Sequence, residues 1–154
     1  MNFSKAYHKK LINEFSDVNL ILEDPSKTIN MNLHKIILAY SSEYFYKLFL
    51  FGEHENNYKI KVGDADVARN LIESFYGTES SIPNYPKWKY ILEIFRLKNY
   101  FFIENNVREL YGLDVPAEGF DLLVEVLMPY DLSTDARLLR LLKKIFQWPL
   151  KNIY

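Results

Sequence analysis

The stretch DVNLILEDPSKTINMNLHK, residues 17–35, decides the architecture. Val18, Leu20 and Leu22 alternate with Asn19, Ile21 and Glu23, and Ile29, Met31 and Leu33 alternate with Asn30, Asn32 and His34. Successive side chains of a strand point to opposite faces, so a period of two predicts two strands, each with one buried face. Between them, Asp24-Pro25-Ser26-Lys27 is turn chemistry: proline presets φ, and Asp and Ser bond their own backbone. The two strands are therefore expected to form a hairpin.

Outward from the hairpin the period changes to that of helices. On the N-terminal side Phe3, Tyr7, Leu11, Ile12 and Phe15 recur at helical spacing, with Lys5, Lys9, Lys10 and Glu14 between them. On the other side a helix is expected from Lys35 to about Tyr40, a break at Ser41-Ser42, and a second helix from Glu43 to Phe51. Ser42 is its N-cap and Gly52 ends it. Tyr58–Val62 alternates again as a short strand. Asp66–Tyr76 reads as a helix with Val67, Leu71, Ile72 and Phe75 on one face, closed by Gly77. Thr78–Pro86 is a loop. Helices are expected at Lys87–Leu97, Phe102–Tyr111, Ala117–Leu127 and Thr134–Phe146. Pro116 stands in a first-turn position, Ser133 is an N-cap, and Pro149 lies after the last stop. Strands and helices are interleaved early and segregated late, which implies an α+β fold with a small sheet covered by helices.

The composition narrows the function. The chain has 154 residues, 49% hydrophobic and 16% aromatic, enough for one self-supporting core. Nineteen basic residues against 20 acidic ones leave a formal charge of −1 and no basic stripe for counterion release, so nucleic acid is not an expected partner. Cysteine is absent, which excludes thiolate zinc sites and cysteine nucleophiles and fits a reducing compartment. No apolar run reaches the ~18 residues of a spanning helix, and the N-terminus lacks a signal-peptide core; an intracellular, cytoplasmic chain with no membrane partner is expected.

No enzymatic constellation emerges. His8, His34 and His54 are far apart and form no metal-ligand pairing; five glycines build neither a phosphate loop nor a dinucleotide fingerprint; no Gly-x-Ser-x-Gly elbow exists. Asp64 and Asp66 flank a turn, as helix-start residues do. No catalytic residue, metal or cofactor is expected, and His34 is expected as a hydrogen-bonded, half-buried core residue.

Three segments in order, FSDVNLIL, NLHKIILAYSSEYFYKLF and IKVGDADVARNLIESFYG, together resemble the BTB/POZ family over Phe15–Gly77. Downstream, YILEIFRLKNYFFIENNVREL is similar to the two closing helices of that family. Residues 1–111 then correspond to the BTB/POZ domain, which implies an α+β BTB/POZ fold with a small mixed sheet covered by helices, and residues 112–154 to a C-terminal helix pair resembling the cullin-binding three-box and the start of the BACK region. The phrase IPNYPKWKYILE is similar to BTB/POZ proteins of large DNA viruses.

The resemblance implies a homodimer. The stripe of Phe3, Tyr7, Leu11 and Phe15 would pack across the two-fold axis, although the same helix could instead fold back on its own domain. Asp17 and Lys35 match the charged pocket at the dimer centre, and Asp17 is equally placed to cap the turn into the first strand. The second implied partner is a cullin-3-type ubiquitin-ligase scaffold, bound through a hydrophobic-x-Glu signature after the helix Glu43–Phe51. Two registers fit it. Glu53-His54-Glu55 keeps the glutamate (Glu55) but has a charge where an apolar anchor belongs; Phe51-Gly52-Glu53 satisfies it if the helix ends sooner. Tyr100 matches a second contact. The expected role is that of an adaptor, or of a viral decoy of the ligase, with a dimerisation scaffold lacking cullin binding as the alternative. The apolar closing residues Trp148–Tyr154, where a free end is ordinarily polar, suggest the front part of a longer protein.

Overall fold

The structure is a computed structural model that describes residue 12, residues 14–52 and residues 55–153, with side chains to residue 145. Strands β1 (Val18–Glu23) and β2 (Thr28–Leu33) form the expected antiparallel hairpin, in register from Val18 opposite Leu33 to Glu23 opposite Thr28. Its turn is organised by one carboxylate. Asp24 Oδ1 accepts from the backbone N–H of Ser26 (2.7 Å) and of Lys27 (2.8 Å) and from Ser26 Oγ (2.9 Å). Strand β3 (Asn57–Lys61) runs parallel to β1 on its other side, giving a mixed sheet of order β2-β1-β3. The period-two reading of the core face is correct: Val18, Leu20, Leu22, Met31, Leu33 and Ile60 are all buried.

Helix α1 (Lys35–Ser41) and helix α2 (Glu43–Phe51) are separated by a single extended residue, Ser42. Its hydroxyl accepts from Phe45 N–H (3.3 Å) and donates to the Phe101 carbonyl (2.7 Å), so one buried side chain caps α2 and fixes it to a distant segment. An N-cap serine is worth about 1 kcal/mol. Helix α3 (Ala65–Ser74) starts at Asp64, which accepts from Val67 N–H at 3.1 Å. The second oxygen of Asp24 accepts from Ala65 N–H at 2.7 Å and ties the hairpin turn to the start of α3. Ala65, Val67, Ala68, Leu71 and Ile72 of α3 are buried, and the helix packs on β1 and β2.

Helix α4 (Lys87–Tyr100) outruns its expected end at Leu97. The helix expected over Phe102–Tyr111 does not form; a single 3-10 turn, Val107–Leu110, stands there. Phe102 takes a left-handed conformation (φ 53°). The two asparagines that follow bond the backbone instead of extending a helix: Asn105 Nδ2 donates to the Phe95 carbonyl (3.2 Å), and Asn106 Oδ1 accepts from Arg108 N–H (3.2 Å). A 3-10 turn (Ala117–Gly119) leads into α5 (Phe120–Leu127), and α6 covers Ala136–Ile153. The cap of α6 is Asp135, which accepts from the N–H of Arg137 (3.0 Å) and Leu138 (3.2 Å). Ser133, the expected cap, donates to Asp131. Pro149 lies within α6 instead of beyond it.

The chain forms two compact units, residues 1–84 with 97–104 and residues 85–96 with 105–154. The first contains the sheet, α1 to α3 and a core that includes Leu20, Leu33, Leu38, Phe45, Ile72 and Phe101. The second contains most of α4, then α5 and α6, around Leu92, Phe95, Leu110, Leu123, Val126, Leu138 and Leu141. Gly119 is required there. A Cβ at that position would stand 2.3 Å from the Trp88 ring.

Candidate functional site

Helices α1 and α2 are short and apolar, yet each buries little: Leu38 is the buried residue of α1 and Phe45 that of α2. A helix on a solvated surface ordinarily turns charged residues outward. Here the outward residues include Ile36 (77% exposed), Tyr40 (93%), Tyr46 (53%) and Leu50 (52%). Single exposed apolar residues need no explanation, but a cluster of this kind marks an interaction surface. Ile36, Tyr46 and Leu50 line an open concavity of about 360 Å³ together with Ala39, Phe49, Asp17 and Lys35.

The two charged residues singled out in the sequence thus share one site. Their direct bond is between the Asp17 carboxylate and the backbone N–H of Lys35 (2.8 Å), so Asp17 holds the start of α1. Its own N–H donates to the Leu33 carbonyl (3.0 Å) and continues the hairpin ladder. The Lys35 ammonium lies 5.8 Å from the centroid of the Phe49 ring. Phe15 is 87% exposed, with φ 60°. Phe3, Tyr7 and Leu11, the rest of the expected seam, lie outside the described residues.

His34 borders this region as a satisfied core residue. Its Nδ1 stands 2.8 Å from the Tyr76 hydroxyl, its backbone N–H donates to the same oxygen (2.9 Å), and Nε2 faces the Glu14 carbonyl at 2.5 Å. Burial pushes the Tyr76 hydroxyl up to about 12, against the lowering effect of the His34 N–H bond.

A second exposed aromatic group surrounds the end of α4. Tyr100 is half-exposed, its ring centroid 5.1 Å from that of Tyr44 and its hydroxyl 3.4 Å from the Tyr44 hydroxyl. Burial, reinforced by that bond, pushes the Tyr44 hydroxyl well above the usual phenol range. Phe102 is also exposed, with the Lys47 ammonium 6.0 Å from its ring centroid. Of the residues expected to contact a cullin, Phe51 is exposed at the last position of α2 and Glu55 is exposed in the loop before β3; Glu53 lies outside the described residues. Gly52 N–H still donates to the Leu48 carbonyl (2.9 Å), so Phe51 is on the helix and not in the loop.

Sequence reasoning singled out Asp17, Lys35 and Tyr100 and made no assignment for Ile36, Tyr46, Leu50 and Phe102. Only the burial of Leu38 and Phe45 on the opposite sides of these helices reveals which face is free. Among the described residues no group of three or more His, Asp or Glu side chains is placed to hold a metal ion, and no helix is long and apolar enough to cross a membrane.

The chain is 41% identical over 127 residues to a BTB/POZ domain and WD-repeat protein of Acanthamoeba polyphaga mimivirus, a match covering 81% of this chain and 26% of that protein. A second BTB/POZ domain and WD-repeat protein of the same virus is 40% identical over 117 residues (74% of this chain, 25% of that protein). A BTB/POZ domain-containing protein of the virus is 38% identical over 123 residues (78% and 22%). The chain therefore spans about a quarter of the length of these relatives. Among solved structures it is similar to the BTB domain of zebrafish PATZ1, with a TM-score of 0.43 and 20% identity over 67% of this chain and 86% of that one. The family described as BTB/POZ domain matches residues 7–112, and with relatives of this identity the chain belongs to the BTB/POZ family of protein-interaction modules.

Proposed function

We propose that the chain is the assembling part of an adaptor: it forms a homodimer through the α1–α2 face and offers its Tyr44–Tyr100 face to a cullin-3-type ubiquitin-ligase scaffold. The observation that carries the reading is the exposed apolar group Ile36, Tyr46 and Leu50 around a concavity that also holds an acid and a base, Asp17 and Lys35. A two-fold interface brings the same patch of both copies together, so a patch with both signs of charge can meet itself without like charges opposed. The N-terminal stripe Phe3, Tyr7, Leu11 and Phe15 would extend the contact towards the ~2,000 Å² or more of an obligate dimer.

Cullin docking draws on Phe51, Glu53, Glu55 and Tyr100, with residues 112–154 as the three-box or BACK-like extension. Aromatic anchors dominate such interfaces, and Tyr44, Tyr100 and Phe102 supply a half-exposed aromatic group. Two of the mimivirus relatives are named for WD repeats as well as the BTB/POZ domain, the composition expected of an adaptor that recruits its target through a second region. The site of action on this reading is the cytoplasm of a virus-infected host, where the chain serves as adaptor or decoy. One observation favours the narrower reading of a dimerisation scaffold without cullin: Phe51 is on the helix, so the apolar residue of the Phe51-Gly52-Glu53 register is not in the loop.

Size-exclusion chromatography with light scattering tests the dimer, and titration with the N-terminal region of cullin-3 tests the adaptor. The expected result is a dimer that binds. A monomer at tens of micromolar rejects both readings; a dimer that does not bind leaves the scaffold.

A further inference from the structure

Helix α6, within the extension assigned above to cullin docking, carries a row of cations beside a concavity, apart from Phe51, Glu53, Glu55 and Tyr100. Asp135, already the cap of the helix, also accepts from the Tyr111 hydroxyl at 2.6 Å and so fixes the Tyr111 ring beside the first turn. The Arg137 guanidinium lies 5.0 Å from the centroid of that ring. Stacking on an aromatic face restricts the guanidinium plane while leaving N–H groups at its edge for an oxyanion. Arg140 and Lys144 follow on the same stripe of the helix, three and seven residues beyond Arg137.

These three cations, with Tyr111, Gly112 and buried Leu141, line a concavity of about 310 Å³. Among the described residues no carboxylate lines it. Among the described residues neither Arg140 nor Lys144 has an ion-pair partner. Asp135 offsets part of the charge of Arg137, but its oxygens are engaged by Tyr111 and by the helix N–H groups. The excess positive charge therefore stands one and two turns further along.

We propose that this concavity binds an acidic segment of a partner protein, with glutamate or aspartate carboxylates on Arg137, Arg140 and Lys144. The spacing of the cations selects this ligand. Residues three and seven positions apart spread the charge over ~10 Å along the helix axis. A single phosphate is too compact to span that row, whereas side chains two apart on an extended peptide are separated by ~6.6 Å. The net charge of −1 and the lack of a wider basic surface in the sequence disfavour a nucleic-acid backbone.

The test is fluorescence anisotropy on the whole chain, with a labelled hexaglutamate peptide as probe, hexaglutamine as control, and a labelled thymidine oligonucleotide as the competing class. Hexaglutamate should bind and hexaglutamine should not. Binding should weaken by about tenfold in Arg140→Glu and again in Lys144→Glu, and should fall as salt is raised from about 0.05 to about 0.5 M. Both positions are solvent-exposed, and an unchanged circular dichroism spectrum excludes misfolding. The proposal is overturned if hexaglutamate does not bind, if either charge reversal leaves its affinity unchanged, or if the oligonucleotide binds and the peptide does not. Dimerisation and cullin titration are separate readouts, so failure here leaves the preceding reading in place.

Discussion

Tyr76 serves His34 twice through one oxygen. The hydroxyl accepts from the backbone N–H of His34 at 2.9 Å and stands 2.8 Å from Nδ1 of the same residue, 42 positions away in sequence. Nε2 faces the Glu14 carbonyl, which only an N–H can satisfy, so a neutral ring carries its hydrogen on Nε2 and accepts the phenol hydrogen at Nδ1. The end of β2 is thereby locked to the end of α3. Tyr76→Phe keeps the ring but leaves a buried N–H and a buried ring nitrogen without their partner, and should lower the unfolding free energy by about 1–3 kcal/mol. Urea denaturation measures it. A loss below about 0.5 kcal/mol, the range of neutral surface changes, would mean that water takes the hydroxyl's place.

The hairpin turn should set part of the acid limit of stability. Burial raises the Asp24 carboxyl, but four hydrogen bonds, from Ala65, Ser26 (twice) and Lys27, outweigh it and hold the group at about 2, below its ordinary 3.8. Between those values the unfolded chain binds a proton that the folded chain refuses, so acid favours unfolding. The contribution of Asp24 is complete above about pH 4 and is lost as pH falls towards about 2. Asp24→Asn should therefore show a shallower fall in thermal midpoint across that window than the unsubstituted chain. Parallel acid limbs would refute the assignment.

The hairpin and the three strands were legible because their signal is local. Alternation, a four-residue turn and a cap each lie within six residues, whereas the parallel pairing of β3 with β1 joins distant segments and was not read from the sequence. The segment 102–111 was misread for the opposite reason. Its apolar residues fit a helical period, but Asn105 and Asn106 compete for the backbone, and the acceptor for Asn105 is the Phe95 carbonyl, ten residues back. Pattern counting does not see such a partner. The exposed face of α1 and α2 was legible only in its charges. Asp17 and Lys35 stand out by type, whereas Ile36 and Leu50 are indistinguishable from core until the neighbours that bury Leu38 and Phe45 are known.

That face supplies a separation of assembly from folding. Ile36 and Leu50 are largely exposed in the single chain, so Ile36→Arg with Leu50→Arg removes little intramolecular packing. Exposed substitutions ordinarily shift stability by no more than about 0.5 kcal/mol each. On the dimer reading, four arginines then meet across the two-fold axis, and light scattering should report a monomer with an unchanged circular dichroism spectrum. A variant that remains dimeric would place the contact elsewhere.

Arg96 distinguishes a buried from an exposed ion pair within one side chain. Its Nη2 reaches both oxygens of Glu93, at 2.7 and 2.5 Å, and its Nη1 reaches Glu125 at 3.0 Å. The Glu93 side chain is 5% exposed and that of Glu125 is 57% exposed. Removing the arginine takes a cation bonded to both oxygens away from a carboxylate that water scarcely reaches, whereas removing Glu125 exposes nothing that water cannot reach. Arg96→Met should cost about 2–4 kcal/mol, somewhat discounted from a fully buried pair because Arg96 retains solvent contact. Glu125→Gln should cost at most about 1 kcal/mol. The two values follow from desolvation, which makes a further demand. If the penalty lies in the buried charge of Glu93 and not in the lost pair, then Arg96→Met combined with Glu93→Leu should recover most of the loss, since an apolar pair of similar volume replaces a buried ion pair at little cost. Urea denaturation of the three variants checks this. A double variant as unstable as Arg96→Met alone would show that the hydrogen-bonded geometry itself, not the cost of burying Glu93, holds α4 in place.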